Sequence, residues 1–144
     1  MSKLTKVKPP ISNEKLYNLQ KKPTGVHIGI TYLDRNKYGL KDLFAVAKGN
    51  RQCLDDFYQF LDSAREKNDI GEFITEFVSH NRANNQDALS KNKVKALQQD
   101  YQLEVDHLIH LHCKRGGKGK FVVHGFQIGD IFEIVWLDSE HNVH

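Results

Sequence analysis

The last third of the chain decides its fold. It runs V-D-H-L-I-H-L-H-C from Val105 to Cys113, K-F-V-V-H-G-F-Q-I from Lys120 to Ile128 and I-F-E-I-V-W-L from Ile131 to Leu137. These stretches are rich in β-branched and aromatic residues, which favour strands. The turn G-G-K-G at 116–119 separates the first two, and the pair Gly129–Asp130 separates the last two. Short turns between consecutive strands predict a three-stranded antiparallel meander.

The chain before this meander is predicted to form one strand followed by helices. In 25–33, Val26, Ile28 and Ile30 alternate with polar or small residues, which is typical of a strand. Apolar residues at helical spacing predict helices at 12–20, 40–47, 51–67 with Asn50 as N-cap, 71–79 and 90–101. This order indicates an α+β fold, with an antiparallel sheet of one early strand plus the meander and a helical layer on one face.

Composition is that of an ordinary globular protein, with 39% hydrophobic and 27% charged residues among 144 and a net charge of +3. We expect residues 1–22 to be a flexible basic segment and 23–144 to be one α+β domain. No stretch approaches the ~18 apolar residues of a membrane span. The first residues lack an apolar signal region, and the two cysteines are far apart in the sequence. We therefore expect a reduced, cytoplasmic location away from membranes.

Six of the eight histidines follow Asp106. Strand alternation places His110 and His112 on one face of the first late strand, which we expect to be the wetter face, and His107 on the core face. In the next strand, His124 shares a face with Lys120, Val122 and Phe126. The histidines of the two strands converge if the strand register brings them together.

The His-x-His of this strand is compatible with a zinc site that Asp106 or His124 would complete. Such a pair is frequent by chance, and the chain has no H-E-x-x-H or zinc-finger spacing. Neutral histidines explain the pattern better. We therefore predict no metal and no cofactor.

A glycine-rich loop carries four cations, Lys114, Arg115, Lys118 and Lys120. Glycines let backbone N–H groups approach a phosphate, and the cations neutralise its charge. The loop is not a P-loop, because the lysine-serine or lysine-threonine ending and the following helix are both missing. The four residues are candidate nucleic-acid ligands, although a solvated hairpin tip would have the same composition.

Histidines beside such a loop are suited to RNA cleavage. Imidazole accepts or donates a proton near neutral pH, and a cation stabilises the charge on the reacting phosphate. The catalytic candidates are His110, His112, His124 and Arg115. His141 is a further group that orients or supplies an acid or base.

Several other side chains are expected to serve the fold alone. Trp136 fits a buried strand position, and Asp138 is suited to cap the turn that follows it. Cys53 and Cys113 are expected to be small buried hydrophobes. The carboxylates of the long helix are expected to be a solvated face: Asp55, Asp56, Asp62 and Glu66.

The segment K-F-V-V-H-G-F-Q-I-G-D-I-F-E-I-V-W-L-D-S-E-H, 120–141, resembles the C-terminal strands of RelE/ParE-like toxins of bacterial toxin–antitoxin systems. The order of predicted elements over 25–144 is similar to theirs as well. The resemblance implies an endoribonuclease that acts on RNA without a metal and is covered by a protein antitoxin. This chain is longer than a typical member, in its N-terminal segment and its helical region. No catalytic residue is carried over from the family.

Three functions follow from the residues. The first is a toxin that is a metal-independent endoribonuclease, with RNA and a protein antitoxin as partners. The second is a non-catalytic module that binds nucleic acid or protein through the basic loop. The third is a metal-dependent hydrolase that uses the His-x-His strand. The oligomeric state, a homo-oligomer included, is left open.

Overall fold

The computed structural model describes residues 25–78 and 86–143. It contains four strands and four helices within these ranges. The strands are β1 (His27–Gly29), β2 (Ile109–Lys114), β3 (Lys118–Ile128) and β4 (Ile131–Asp138). The helices are α1 (Leu40–Gly49), α2 (Gln52–Glu66), α3 (Ile70–Phe77) and α4 (Ala88–Tyr101). The segment 1–22, with its predicted helix at 12–20, lies outside the described residues.

The four strands form one sheet in the order β1-β4-β3-β2. The predicted meander is confirmed, because β2 pairs antiparallel with β3 and β3 with β4. The prediction of a wholly antiparallel sheet is wrong, since β1 runs parallel to β4, with His27 opposite Ile131. The connection between these strands is long and contains the four helices, β2 and β3, which makes the parallel pairing possible. The α+β class stands, with a mixed sheet.

Helices cover both faces of the sheet, which corrects the expectation of one helical layer. Phe60 of α2 and Phe73 of α3 pack on one face, in a core with Phe132. Val94 of α4 packs on the other, in a separate core with Trp136. The physical reason is that six consecutive residues of β3, 121–126, are buried, so neither face can be left to water.

The four helices begin and end within about two residues of their predicted positions. Side chains cap the N-termini of two of them, α3 and α4. Asp69 accepts a hydrogen bond from Gly71 at 2.7 Å and Asp87 from Ser90 at 2.9 Å. The prediction of Asn50 as N-cap of α2 is wrong, because Arg51 occupies that position and has no side-chain cap hydrogen bond. Asn50, one residue earlier, accepts a hydrogen bond from the N–H of Gln52. None of the helices in 25–78 and 86–143 is long and apolar enough to cross a lipid bilayer.

Two strands are shorter than predicted. The strand predicted over 25–33 contains only His27–Gly29, and β2 begins at Ile109 instead of Val105. His107 is therefore not in the sheet, and its side chain is exposed. The prediction that His107 faces the core is wrong, because strand alternation has no meaning outside the strand.

Candidate functional site: a histidine row beside a lysine hairpin

The register of the sheet brings histidines of neighbouring strands together. His110 of β2 lies directly opposite His124 of β3, which lies opposite Trp136 of β4. The ring centroids are 4.2 Å apart for the two histidines and 5.7 Å apart for His124 and Trp136. We call His110, His124 and Trp136 the histidine row. The histidine row lies on the α4 side of the sheet. This face was expected to be wet, but His124, at the centre of the row, is fully buried.

A β-bulge places His124 in this row. The register of β3 against β4 shifts between His124 and Gly125. A side chain at Gly125 would begin 2.2 Å from the carbonyl oxygen of Glu133. Glycine is required there because the two backbones approach so closely.

Asp138 holds the buried imidazole of His124. The two side chains are fully buried, and His124 Nε2 lies 3.2 Å from Asp138 Oδ2. The carboxylate also accepts hydrogen bonds from the N–H groups of Asn142 and Val143, at 2.9 and 2.8 Å. The turn-capping prediction for Asp138 is confirmed. Burial acts to raise the pKa of Asp138, but the bonds from His124, Asn142 and Val143 outweigh it and lower this pKa.

These bonds also fix the tautomer of His124. A carboxylate only accepts, so Nε2 of His124 carries the proton. Its Nδ1 has no hydrogen-bond partner among the described residues. His124 is therefore enclosed in the sheet, out of reach of a polymeric substrate.

Gln86 fixes the tautomer of His110. Its side-chain oxygen accepts from the N–H of Leu108, and its amide nitrogen donates to the carbonyl oxygen of Leu108. The same nitrogen is 3.2 Å from Nε2 of His110, which must therefore accept. Burial and the imidazoles of His124 and His141 lower the pKa of His110 to about 3. His110 is neutral at physiological pH and cannot serve there as a proton donor in the imidazolium form.

His112 lies where the row meets the hairpin. Its Nδ1 is 2.9 Å from the carbonyl oxygen of Gly119, so Nδ1 donates this hydrogen bond. Its ring contacts that of His141, edge to face, with centroids 5.0 Å apart. Both side chains are half-buried. His141 has a left-handed backbone (φ 54°), an uncommon conformation for a residue other than glycine.

Arg115 points away from the histidines. Its guanidinium forms ion pairs with Glu66 of α2, at 3.0 Å, and Glu76 of α3, at 3.4 Å. Its backbone N–H donates to the side chain of Gln59. These helices pack on the side of the sheet opposite α4, so Arg115 joins the hairpin to α2 and α3, away from the histidine row.

The three lysines of the loop differ from Arg115. Lys114, Lys118 and Lys120 are exposed, and no carboxylate of the described residues lies within ion-pairing distance of them. Glycines 116, 117 and 119 all have positive φ angles, between 71° and 90°, and shape the turn between them. We call residues 114–120 the lysine hairpin. The lysine charge that the described residues leave unneutralised is available to an anionic ligand.

A pocket of about 330 Å³ lies between the lysine hairpin and the start of α2. We call it the α2 pocket. Its walls are Asn50, Gln52, Cys53, Asp56, Lys114, Gly119, Lys120, Phe121 and Ser139. The sequence did not predict it, because its walls come from three regions that are distant along the chain.

Asp56 is buried in this pocket, so the expectation that it lies on a solvated helix face is wrong. Its Oδ1 accepts a hydrogen bond of 3.0 Å from Gln52. The other three carboxylates of that predicted face, Asp55, Asp62 and Glu66, are exposed.

Both cysteines are buried, as predicted. Burial raises the pKa of the Cys53 thiol and that of the Cys113 thiol. Neither is therefore an activated nucleophile.

The described residues contain no group of three or more histidine, cysteine, aspartate or glutamate side chains arranged to hold a metal ion. Asp106, the suggested third ligand, is exposed and precedes β2.

Comparisons of the chain with protein-family models, with curated proteins and with solved structures found no match.

Proposed function

We propose that this protein is a metal-independent endoribonuclease that acts as the toxin of a toxin–antitoxin pair, with a RelE-like fold. The observation that supports this best is the pair of half-buried imidazoles, His112 and His141, beside the lysine hairpin. Two imidazoles and unpaired cations are the groups that cleavage of RNA through its 2′-hydroxyl requires.

In the proposed reaction, Nε2 of neutral His112 takes the proton of a 2′-hydroxyl. The 2′-oxygen attacks the adjacent phosphorus and the bond from phosphorus to the 5′-oxygen breaks. Protonated His141 gives its proton to that oxygen, so the products are a 2′,3′-cyclic phosphate and a free 5′-hydroxyl. Lysines of the hairpin, Lys118 and Lys120 among them, stabilise the charge on the phosphate.

The other predicted catalytic residues have supporting roles in this proposal. The rings of His110 and His124 pack against each other beside His112. Asp138 connects them to the turn that carries His141, because its carboxylate binds both His124 and the N–H of Asn142. Arg115 anchors the hairpin to α2 and α3. His112 is thus the one of the four original candidates to which we assign proton transfer.

The first test replaces His112 by glutamine, which has a similar size but cannot act as a base. We expect the cleavage rate of a single-stranded RNA, measured with a chelator present, to fall by about 100-fold or more. His107→Gln is the matched control, since this exposed histidine lies outside the sheet. Equal rates for His112→Gln and the wild type would refute the assignment of His112.

The toxin role is tested by expression in a bacterium. We expect the wild-type chain alone to stop growth, and we expect growth to recover with His112→Gln. A partner that neutralises it is expected to be an acidic protein covering the lysine hairpin, because that surface is positively charged. Wild-type protein that is harmless at high expression would rule out a toxin.

A second candidate is a non-catalytic nucleic-acid-binding module. Lys114, Lys118 and Lys120 favour it, because they have no carboxylate partner among the described residues and provide phosphate contacts whether or not the histidines react. RNA binding that weakens steeply with salt, without any cleavage, would select this function over the first.

A further inference from the structure

We infer that the α2 pocket is a nucleobase subsite that takes guanine through the carboxylate of Asp56. The inference rests on the proposed function in that it takes the ligand to be RNA. It adds the base that is recognised and the residue that recognises it. Neither His112 nor His141 is needed for this binding.

The charges of the pocket walls argue against a simple ion. Lys114 and Lys120 would repel a cation, and the buried Asp56 would repel inorganic phosphate. A nucleotide satisfies both, because its phosphate is an anion and its base presents neutral N–H donors. The volume, about 330 Å³, lies at the lower end of the range for small-ligand sites and is sufficient for one base.

The hydrogen-bonding capacity of Asp56 favours guanine. Gln52 occupies one lone pair of Oδ1, and the described residues give Oδ2 no hydrogen-bond donor. A carboxylate has about four lone-pair sites, so most of its accepting capacity is unused. Guanine has two adjacent donors, N1–H and the 2-amino group, whereas the corresponding edge of adenine has an acceptor at N1. Phe121 and Cys53 supply apolar surface for the base.

Gly119 connects this pocket to His112. Its carbonyl oxygen binds His112, while a side chain at its α-carbon would lie 2.9 Å from Lys114 Cβ and 3.3 Å from Asp56 Oδ2. A side chain at Gly119 would therefore lie against Oδ2 of Asp56. Ser139 also lines the pocket, two residues before His141. Gly119 and Ser139 thus join the α2 pocket to the segments that carry the two imidazoles.

The test measures binding to the full-length protein by calorimetry. The probes are guanosine, inosine and adenosine 3′-monophosphates and inorganic phosphate. We expect guanosine monophosphate to bind about tenfold more tightly than adenosine monophosphate. Inosine monophosphate, which keeps N1–H but lacks the 2-amino group, is expected to fall between them. This series needs no variant, so it does not depend on a substitution being tolerated.

Asp56→Asn is the direct variant, and Asp55→Asn is the matched control on the exposed side of α2. Asparagine keeps an acceptor for Gln52 but replaces one oxygen with an NH₂ donor. We expect Asp56→Asn to lose the preference for guanosine over adenosine and Asp55→Asn to keep it. Lys120→Ala is expected to weaken all three nucleotides by a similar factor.

Each outcome separates this inference from the proposed function. Equal binding of the three nucleotides and phosphate, or no binding of any, overturns the guanine pocket even if the protein cleaves RNA. Preference for guanosine that survives in Asp56→Asn overturns the role of Asp56. Selective binding that Asp56→Asn abolishes supports the pocket, and if RNA is then not cleaved, only the nuclease proposal fails.

Discussion

The sequence made His124 a catalytic candidate, but the structure buries its side chain. Its sequence neighbours, with a basic loop on one side and alternating apolar residues around it, are compatible with catalysis. In the folded chain it is fully buried between His110 and Trp136 and bonded to Asp138. Its contribution is therefore to the packing of the sheet and to the position of the turn that Asp138 caps.

We predict that His124→Ala lowers the free energy of unfolding by about 3 kcal/mol, since it leaves a cavity and removes a buried partner of Asp138. His107→Ala is the control, and its exposed side chain should change stability by no more than about 0.5 kcal/mol. Denaturant titration measures both. A fully stable His124→Ala variant with impaired cleavage would instead make His124 part of the reaction.

At the scale of the element, the β2–β3 hairpin combines two kinds of cation. Arg115 is paired with Glu66 and Glu76, whereas the lysines have no carboxylate partner among the described residues. Sequence reasoning grouped all four cations, because spacing along a loop does not reveal which side chains turn back toward a helix. Anchoring and ligand contact are consequently separable by mutation.

We predict that Arg115→Ala changes stability and that Lys118→Ala changes RNA binding. Arg115→Ala should destabilise the fold by about 1 kcal/mol, because it removes two partly exposed ion pairs. Lys118→Ala should leave stability unchanged, weaken RNA binding, and reduce the slope of log affinity against log salt by about 1. Thermal melting and salt-dependent binding measure the two quantities. A loss of RNA affinity confined to Arg115→Ala would reverse the assignment.

At the scale of the whole molecule, Asp34 joins parts of the chain that are far apart. Its Oδ2 binds Lys93 of α4 at 2.9 Å and the indole N–H of Trp136 in β4 at 3.1 Å. Its backbone N–H donates to the carbonyl oxygen of Val135. Burial acts to raise the pKa of Asp34, but the bonds from Lys93, Asn36, Trp136 and Lys37 together lower it to about 2.

Because the pKa of Asp34 is lowered in the folded state, the free energy of unfolding depends on pH in the acidic range. The folded pKa lies below the ordinary value of 3.8, so the contribution of Asp34 is present above pH 4 and is lost as the pH falls toward 2. The contribution is about 2 kcal/mol, given the small exposure of the side chain. We predict that unfolding free energies of wild type and Asp34→Asn converge by about this amount between pH 5 and pH 2. Lys93→Gln should fall between them, and parallel curves would contradict the prediction.

Local sequence patterns predicted the positions of the helices and strands well, but they predicted the burial of individual side chains poorly. Turn glycines and β-branched runs were enough for the meander. The one N-cap predicted, Asn50, lies one residue before the N-cap of α2, Arg51. Asp56 and His107 were placed wrongly for the same reason. In both cases the burial of the side chain depends on where other parts of the structure lie. The lysine hairpin packs against Asp56, and β2 begins only after His107.

The sequence by itself determined the α+β class, the meander and the gathering of histidines and cations in the last third, because strand propensity, turn chemistry and helix capping act over a few residues. Only the tertiary structure decided that β1 is parallel to β4 and that His110 faces His124. It also decided that Arg115, unlike the lysines, forms ion pairs with Glu66 and Glu76. It also joined Asp56 to the hairpin in one pocket. Register and burial are set by contacts between distant segments, and a one-residue change of register would turn the histidines to the other face.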